Sequence, residues 1–305
     1  MKYSWVFATA VISGFAIFMN AFGVSGFDPF VFTTMKNAVV AAALVGALLL
    51  FRDVDYLKKL PAEAWKKLFA IGIVGGSIPF LLFFWGLKNS SAVTAAFIHK
   101  TMFVWVSLLA FVFLKEKLSR KQLAGAVALL AGLFVFTGMP VITFGLGEIA
   151  VIAATLLWSI ETIISKKALA TVKPRVVASA RMFFGLFVLV PFLAVTGSLP
   201  TLVSLSLSQY AWAIVTSIFL FGYVWTWYHG LALVKASEAT AILLLGAVIT
   251  TALQWTFLAK EIEFMAFAGI VVMLVGLSAM TNTSTKIVEA LRHVHCVPSE
   301  STVKK

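Results

Sequence analysis

SAVTAAFIHKTMFVWVSLLAFVFL, residues 91–114, decides what kind of molecule this is. Apart from His99 and Lys100 the stretch has no ionisable side chain. A helix rises about 1.5 Å per residue, so roughly 20 apolar residues carry it across the ~30 Å of hydrocarbon in a bilayer. This stretch is long enough, and segments like it recur along the chain between short polar breaks. The 305 residues are 61% apolar and 12% charged, with a mean hydropathy of +1.03. Soluble domains run near half apolar and about a quarter charged. The composition excludes a soluble globular protein and predicts an all-α integral membrane protein.

The pattern predicts ten transmembrane helices, over 3–24, 29–51, 67–87, 91–114, 121–139, 146–166, 175–196, 210–234, 237–259 and 263–281. GFDP at 26–29 and TGMP at 137–140 read as turns, and RDVDYLKKLPAEAWKK at 52–67 as a charged loop with Trp65 at headgroup level. The first segment resembles a signal peptide in layout, but nine more hydrophobic segments follow it, which favours a first span.

Basic residues set the orientation. With the N-terminus inside, nineteen of the 24 lysines and arginines fall in cytoplasmic segments. Only Lys88 and Lys260 fall outside, and Lys36, Lys100 and Arg181 lie within spans. This positive-inside bias places both termini in the cytoplasm and the protein in the cell membrane. It also accounts for the net charge of +12 without nucleic acid as a partner. Cys296 is the only cysteine, so no internal disulfide forms. It sits with His293 and His295 in the polar tail 282–305, too crowded for a tetrahedral metal site. No metal and no cofactor is expected.

The two halves echo one another. Lys115-Glu116 recurs as Lys260-Glu261, 145 residues on, and Gly125 and Gly132 recur as Gly269 and Gly276, 144 residues on. Gly86-Leu87 recurs as Gly230-Leu231, AVTAA at 92–96 as EATAI at 238–242, and Lys36 as Arg181. Five helices per repeat is an odd number, so the second copy crosses in the opposite sense. Residues 1–140 and 141–281 then form two inverted five-helix repeats. That arrangement belongs to secondary transporters with a mid-membrane site.

The order of these features resembles a known family. A Gly-Leu pair ends the third span, small residues open the fourth, which closes in FLKEKL at 113–118, and the pattern returns as FLAKEI at 257–262. GEIAVIAATLLWSIETIISKKAL at 147–169, with Trp158, resembles the opening of a second repeat. Over residues 3–281 the chain is similar to the EamA-type branch of the drug/metabolite transporter superfamily. The resemblance implies a ten-helix bundle and a cavity lined by helices other than the fifth and tenth. It also implies transport of small metabolites, often amino acid export, with Lys36 and Arg181 at positions where the family often has arginine. Many members carry a proline in mid-span of the fourth and ninth helices. IHKTMFVW and LLLGAVIT have none.

Charge inside hydrocarbon costs about 2.5–3.5 kcal/mol per residue on insertion scales, so each such side chain calls for a reason. Lys100 lies nine residues into its span and is either a counter-charge for substrate or half of a structural ion pair. Helical spacing puts Val93, Ala96, Phe103 and Ser107 on its face. His99 is an interior hydrogen-bonded histidine or a proton relay. Lys36 and Arg181 lie close enough to span ends to snorkel, or they flank the cavity. Glu161 is the coupling candidate, with pairing to Lys166 as the alternative. Tyr223 and Trp227 share a face and line the pathway or belong to an interfacial belt. Gln254 and Asn20 tie helices together or orient a ligand.

No Gly-rich phosphate loop, HExxH motif or aspartate pair occurs, so neither ATP hydrolysis nor metal catalysis is expected and the chain does not read as an enzyme. The expected function is a secondary transporter of small organic metabolites, exporting amino acids or related carboxylates by alternating access. An exchanger of anionic metabolites or sugar phosphates is the alternative within transport, and a non-transporting scaffold or sensor the alternative outside it. The expected partners are a small-molecule substrate and the lipid bilayer; the oligomeric state does not follow from the sequence.

Overall fold

The computed structural model describes residues 2–23, 27–141 and 143–281. The tail 282–305, with His293, His295 and Cys296, lies outside the described residues. The described residues are helical without strands. In chain order the helices are α1 (Ser4–Gly23), α2 (Pro29–Leu50), a short α3 (Val54–Lys58), α4 (Ala62–Gly76), α5 (Ile78–Lys88), α6 (Ala92–Lys100), α7 (Met102–Phe113) and α8 (Arg120–Phe136). They continue as α9 (Leu146–Ala168), α10 (Pro174–Val195), α11 (Leu207–Leu233), α12 (Ala236–Leu243), α13 (Leu245–Leu258) and α14 (Phe264–Met280). Three pairs, α4–α5, α6–α7 and α12–α13, are single rods with a break inside.

Among the described residues, seven segments are long and apolar enough to cross a membrane, including Ala62–Lys88, Ala92–Phe113 and Ala236–Leu258. Ser4–Asn20 and Phe264–Met280 are shorter apolar helices. Large apolar side chains such as Leu50, Val195, Leu207 and Phe264 point away from the bundle. A perimeter of that kind suits lipid, because the helices satisfy their own backbone groups.

Helix ends follow local chemistry. Asp28 caps α2 by accepting from the amides of Phe30 and Val31, both at 2.9 Å, with Pro29 supplying the first helical turn. Ser206 and Gln209 close a capping box, which starts α11 at Leu207 rather than 210. The third span starts at Ala62 rather than 67, because Pro61 sets an extended N-cap and the charged first turns stay solvated.

The rods α6–α7 and α12–α13 break without proline. Thr101 turns the chain with φ −68° and ψ −3° while its hydroxyl donates to the Ile98 carbonyl at 2.6 Å. Leu244, at φ −60° and ψ −24°, makes the corresponding turn between α12 and α13.

Packing joins the two ends of the sequence rather than neighbours. α1 packs on α11 and α13, α9 on α4, α5 and α7, and α10 on α2 and α4. α8 and α14 lie along each other through glycines. A Cβ on Gly125 would stand 2.7 Å from the Gly276 carbonyl, and one on Gly276 would stand 2.7 Å from the Gly125 carbonyl. Gly132 and Gly269 meet in the same way.

One end of the bundle, rich in lysine, is held by polar ties. Asp53, 1% exposed, receives Lys173 at 2.7 Å and the Arg175 guanidinium through both Nε and Nη2. Glu116 caps α12, accepting from Ala236 N at 2.8 Å and from Ser237 N and Oγ. Glu238 accepts from Gln122 at 3.0 Å and Tyr3 at 2.8 Å. Lys166 donates to the Leu231 and Val234 carbonyls, both at 2.6 Å.

Hydrogen bonding from Arg175, more than from Lys173, holds the Asp53 carboxyl below the usual aspartate range against its own burial. A carboxyl depressed in the folded state stabilises above its unfolded pKa of about 4, and that contribution disappears as pH falls through the folded value. Asp53→Asn is expected to lower the unfolding midpoint at pH 7 by roughly 3–8 °C, for about 1–3 kcal/mol in charge-assisted bonds. The gap between variant and wild type closes below about pH 4, as thermal unfolding in detergent at a series of pH values will show. A gap that persists at low pH would assign the loss to packing.

Candidate functional site

A cavity of about 570 Å³ lies between the two halves of the chain. Its wall is built from α1, α2, α5–α7 and α9–α13, and no residue of α8 or α14 reaches it. The first-half helices contribute their segments far from the lysine-rich end, such as Ala16 to Asn20, Phe32 to Asn37 and Phe80 to Leu87.

Seven of the eight side chains expected at a site meet here: Lys36, His99, Lys100, Glu161, Arg181, Tyr223 and Trp227. Gln254 does not. It lies two turns beyond Ala247, the last wall residue of α13, half-buried, and its carbonyl accepts from the amides of Ala259 and Lys260 at the helix end. Val93 was expected beside Lys100 but is 53% exposed on the outer surface. The cavity face of the α6–α7 rod is centred on Ala96 and Phe103, so His99 and Lys100 flank it on either side and both reach the wall.

Each charge is held differently. Lys36 donates to Asn20 Oδ1 at 2.8 Å and sits 4.8 Å over the Phe32 ring. Glu161 accepts from Tyr228 at 2.7 Å and Ser165 at 2.5 Å, both on one oxygen, Oε1. It does not pair with Lys166, which five residues on lies on the opposite side of α9 and turns to the α11 carbonyls. Arg181 donates through Nη2 to the Gly75 carbonyl at 3.2 Å. It and Glu161 both lie against Gly75, yet the two form no ion pair. For Lys100 no ion pair or hydrogen bond is found among the described residues, and its ammonium belongs to the cavity wall.

His99 is packed between Trp158, with ring centres 4.9 Å apart, and Phe83 at 5.2 Å. Its Nδ1, the Asn37 Oδ1 and the Arg181 Nε are buried without a protein partner. All three residues line the cavity. Buried polar atoms are nearly always satisfied, so three such atoms around one cavity mark a surface built to meet something else.

Asn37, Thr162, Phe80, Phe83 and Phe84 were not singled out by sequence reasoning, and Tyr228, the hydrogen-bond partner of Glu161, was passed over among the other aromatics of its helix. The readable signal lay in VGGSIP at 74–79, where a proline follows a glycine by four residues inside a span. Gly75 carries the carbonyl that Trp158 Nε1 reaches at 3.1 Å and Arg181 at 3.2 Å.

A relative in Clostridium kluyveri, described as an uncharacterized transporter, is 26% identical over 96% of this chain and 97% of its own. Another in Archaeoglobus fulgidus, with the same description, is 24% identical over 88% of this chain and 94% of its own. A solved crystal structure superposes with a TM-score of 0.77 at 17% identity, over 94% of this chain and 98% of its own, and that likeness shows the fold. The family model described as EamA-like transporter family matches twice, over residues 1–138 and 145–282. Two matches that together cover nearly the whole chain place it: it belongs to the EamA-like transporter family of the drug/metabolite transporter superfamily.

Proposed function

We propose that the protein is a secondary transporter that exports small carboxylate-bearing metabolites, amino acids first, across the cell membrane by alternating access. The moving parts are two inverted five-helix repeats, 1–140 and 141–281, giving ten spans with both termini cytoplasmic. The observation that carries the reading is the cavity wall itself. It holds three cations, Lys36, Lys100 and Arg181, against one acid, Glu161. A cation excess in a low-dielectric pocket attracts an anion, and the unpaired Lys100 ammonium is the group free to meet one.

Support for the repeats comes from the doubled family match and from the reciprocal glycine contacts of α8 with α14. Positions 144 or 145 residues apart also share the wall: Ser13 with Trp158, Lys36 with Arg181, Phe83 with Trp227, Ala96 with Thr240 and Phe103 with Ala247. His99 and Lys100 correspond to Leu243 and Leu244, which line the wall as well. The charge therefore belongs to this site and not to the repeat scaffold. In this reading the ties at the lysine-rich end hold the bundle closed toward the cytoplasm.

The aromatic wall, with Phe80, Phe83, Phe84, Trp158, Tyr223 and Trp227, favours a cargo with an apolar body, and Glu161 offers a place for an ammonium. These features put amino acids ahead of sugar phosphates. The excess of cations is what favours the second reading, an exchanger of anionic metabolites.

The test is uptake into proteoliposomes from a panel of radiolabelled amino acids, carboxylates and organic phosphates, with and without a pH gradient. Flux of none of them would sink the transport reading and leave a scaffold or sensor. Lys100→Ala is expected to raise the half-saturating concentration of the carboxylate cargo about ten-fold or more, the range for one charge-assisted hydrogen bond. Unchanged affinity and rate would make Lys100 structural.

A further inference from the structure

We infer that the break between α4 and α5 is part of the binding site, and that Pro79 and Gly75 are positioning residues for Arg181. The inference rests on the transport reading above and deepens it. In an unbroken helix the amide of residue 79 donates to the carbonyl of residue 75. Pro79 has no amide hydrogen, so the Gly75 carbonyl is left free inside the bundle. A buried carbonyl without a donor is costly, and here it receives two: Trp158 Nε1 and Arg181 Nη2.

The next carbonyl behaves alike. Phe80 N turns to the Ser77 carbonyl at 2.9 Å, which frees Gly76 O, and Asn37 Nδ2 fills that vacancy at 3.0 Å. Because a carbonyl only accepts, the Asn37 amide is fixed with its nitrogen toward Gly76 and its oxygen free.

The result is a polar floor made by one proline. Arg181 and Asn37 each spend one group on the break and keep another, Nε and Oδ1, without a protein partner. Both glycines are required. A side chain on Gly75 would overlap Glu161, and one on Gly76 would overlap the Arg181 backbone carbonyl.

The bare backbone at Gly75 thus does two things at once. It lets Glu161 close on one side and ties Arg181 on the other, so that two opposite charges share a cavity without joining into an ion pair. Had they paired, Lys36 and Lys100 would be the only charges left in the wall and no anion would be open to cargo. Held apart, they present one cation and one anion to the same solute. The chemistry that matches is a dipolar solute, bearing a carboxylate and an ammonium on one small body, over a simple anion.

The experiment uses the full-length protein in proteoliposomes with a radiolabelled mixture of L-amino acids. Pro79→Ala returns an amide hydrogen that competes with Arg181 for the Gly75 carbonyl. The expected result is a half-saturating concentration raised roughly ten-fold with a maximal rate changed much less. In an Arg181→Gln background the same substitution is expected to add nothing, since residues acting through one contact are not additive. Equal effects in both backgrounds, or an unchanged half-saturating concentration, would overturn the inference while leaving transport intact. If Pro79→Ala fails to fold, Arg181→Lys asks the same question without touching the break. It keeps the charge and loses the fork, so wild-type affinity there would also overturn the inference. Competition by short-chain monocarboxylates adds a second reading. Weak competition in wild type supports the dipolar cargo, and competition as strong as that of unlabelled amino acids removes it. Absence of any uptake by wild type would take down the transport reading, and this inference with it.

Discussion

Gly125→Val is expected to lower the thermal unfolding midpoint of the detergent-purified protein by roughly 5–10 °C, for an overpacking cost of about 2–3 kcal/mol. The added Cβ would stand 2.7 Å from the Gly276 carbonyl and 2.8 Å from the Met280 amide. Both are backbone atoms of α14, so no rotamer change relieves the clash, and the helices must separate. Close backbone approach through small residues is what holds helices together in lipid, where no hydrophobic force acts between them. Because neither α8 nor α14 contributes to the cavity wall, the half-saturating concentration for uptake should stay at the wild-type value. A drop in affinity together with stability would show that the α8–α14 seam carries more than support.

Removing the charge of Arg181 should be the most damaging change at the site. Arg181→Gln leaves the Gly75 carbonyl to Trp158 alone and removes one of the three cations in the wall that holds Glu161. The lost charge-assisted hydrogen bond costs about 3 kcal/mol at most, which predicts a fall of up to roughly a hundred-fold in uptake below saturation, and a lower unfolding midpoint. Glu161→Gln strands the guanidinium in turn and should destabilise by a similar amount. The double variant Glu161→Gln with Arg181→Gln is expected to be more stable than either single one, while uptake below saturation stays reduced. A double variant whose two losses simply add would mean that the charges do not sense each other.

How much of this could be read from the chain depends on the price of charge in hydrocarbon. Lys36, Lys100, Arg181 and Glu161 were legible because each needs a reason to be where it is, and the structure gathers all four in one wall. Asn37 and Tyr228 were not, since an uncharged polar side chain crosses a membrane cheaply and looks like any other. Gln254 shows the converse: a polar residue in a span with no place in the cavity. The breaks at Thr101 and Leu244 are mild departures from helical backbone and leave no mark in residue type. The break at Ser77 did leave one, in Pro79. Asp53 and Asp55 make the same point for loops. They are two residues apart in one charged segment, yet the first is 1% exposed and the Asp55 side chain 85%. Nothing local distinguishes them, because what buries Asp53 is Lys173 and Arg175, 120 and 122 residues away.

The ties gathered around Asp53, Glu116 and Glu238 also bear on how such a carrier would be measured. A passive carrier cannot change the ratio of solute concentrations at equilibrium, whatever its preferred shape. It can, however, look different from its two faces. Each ~1.4 kcal/mol by which these ties favour one shape makes the other about ten times rarer. A solute arriving where only the rare shape is open meets an apparent affinity weakened by that same factor. Loosening Asp53 should therefore narrow the difference between the half-saturating concentrations on the two sides and leave the final accumulation untouched. In a passive carrier of that kind the asymmetry of the bundle would be kinetic, not thermodynamic.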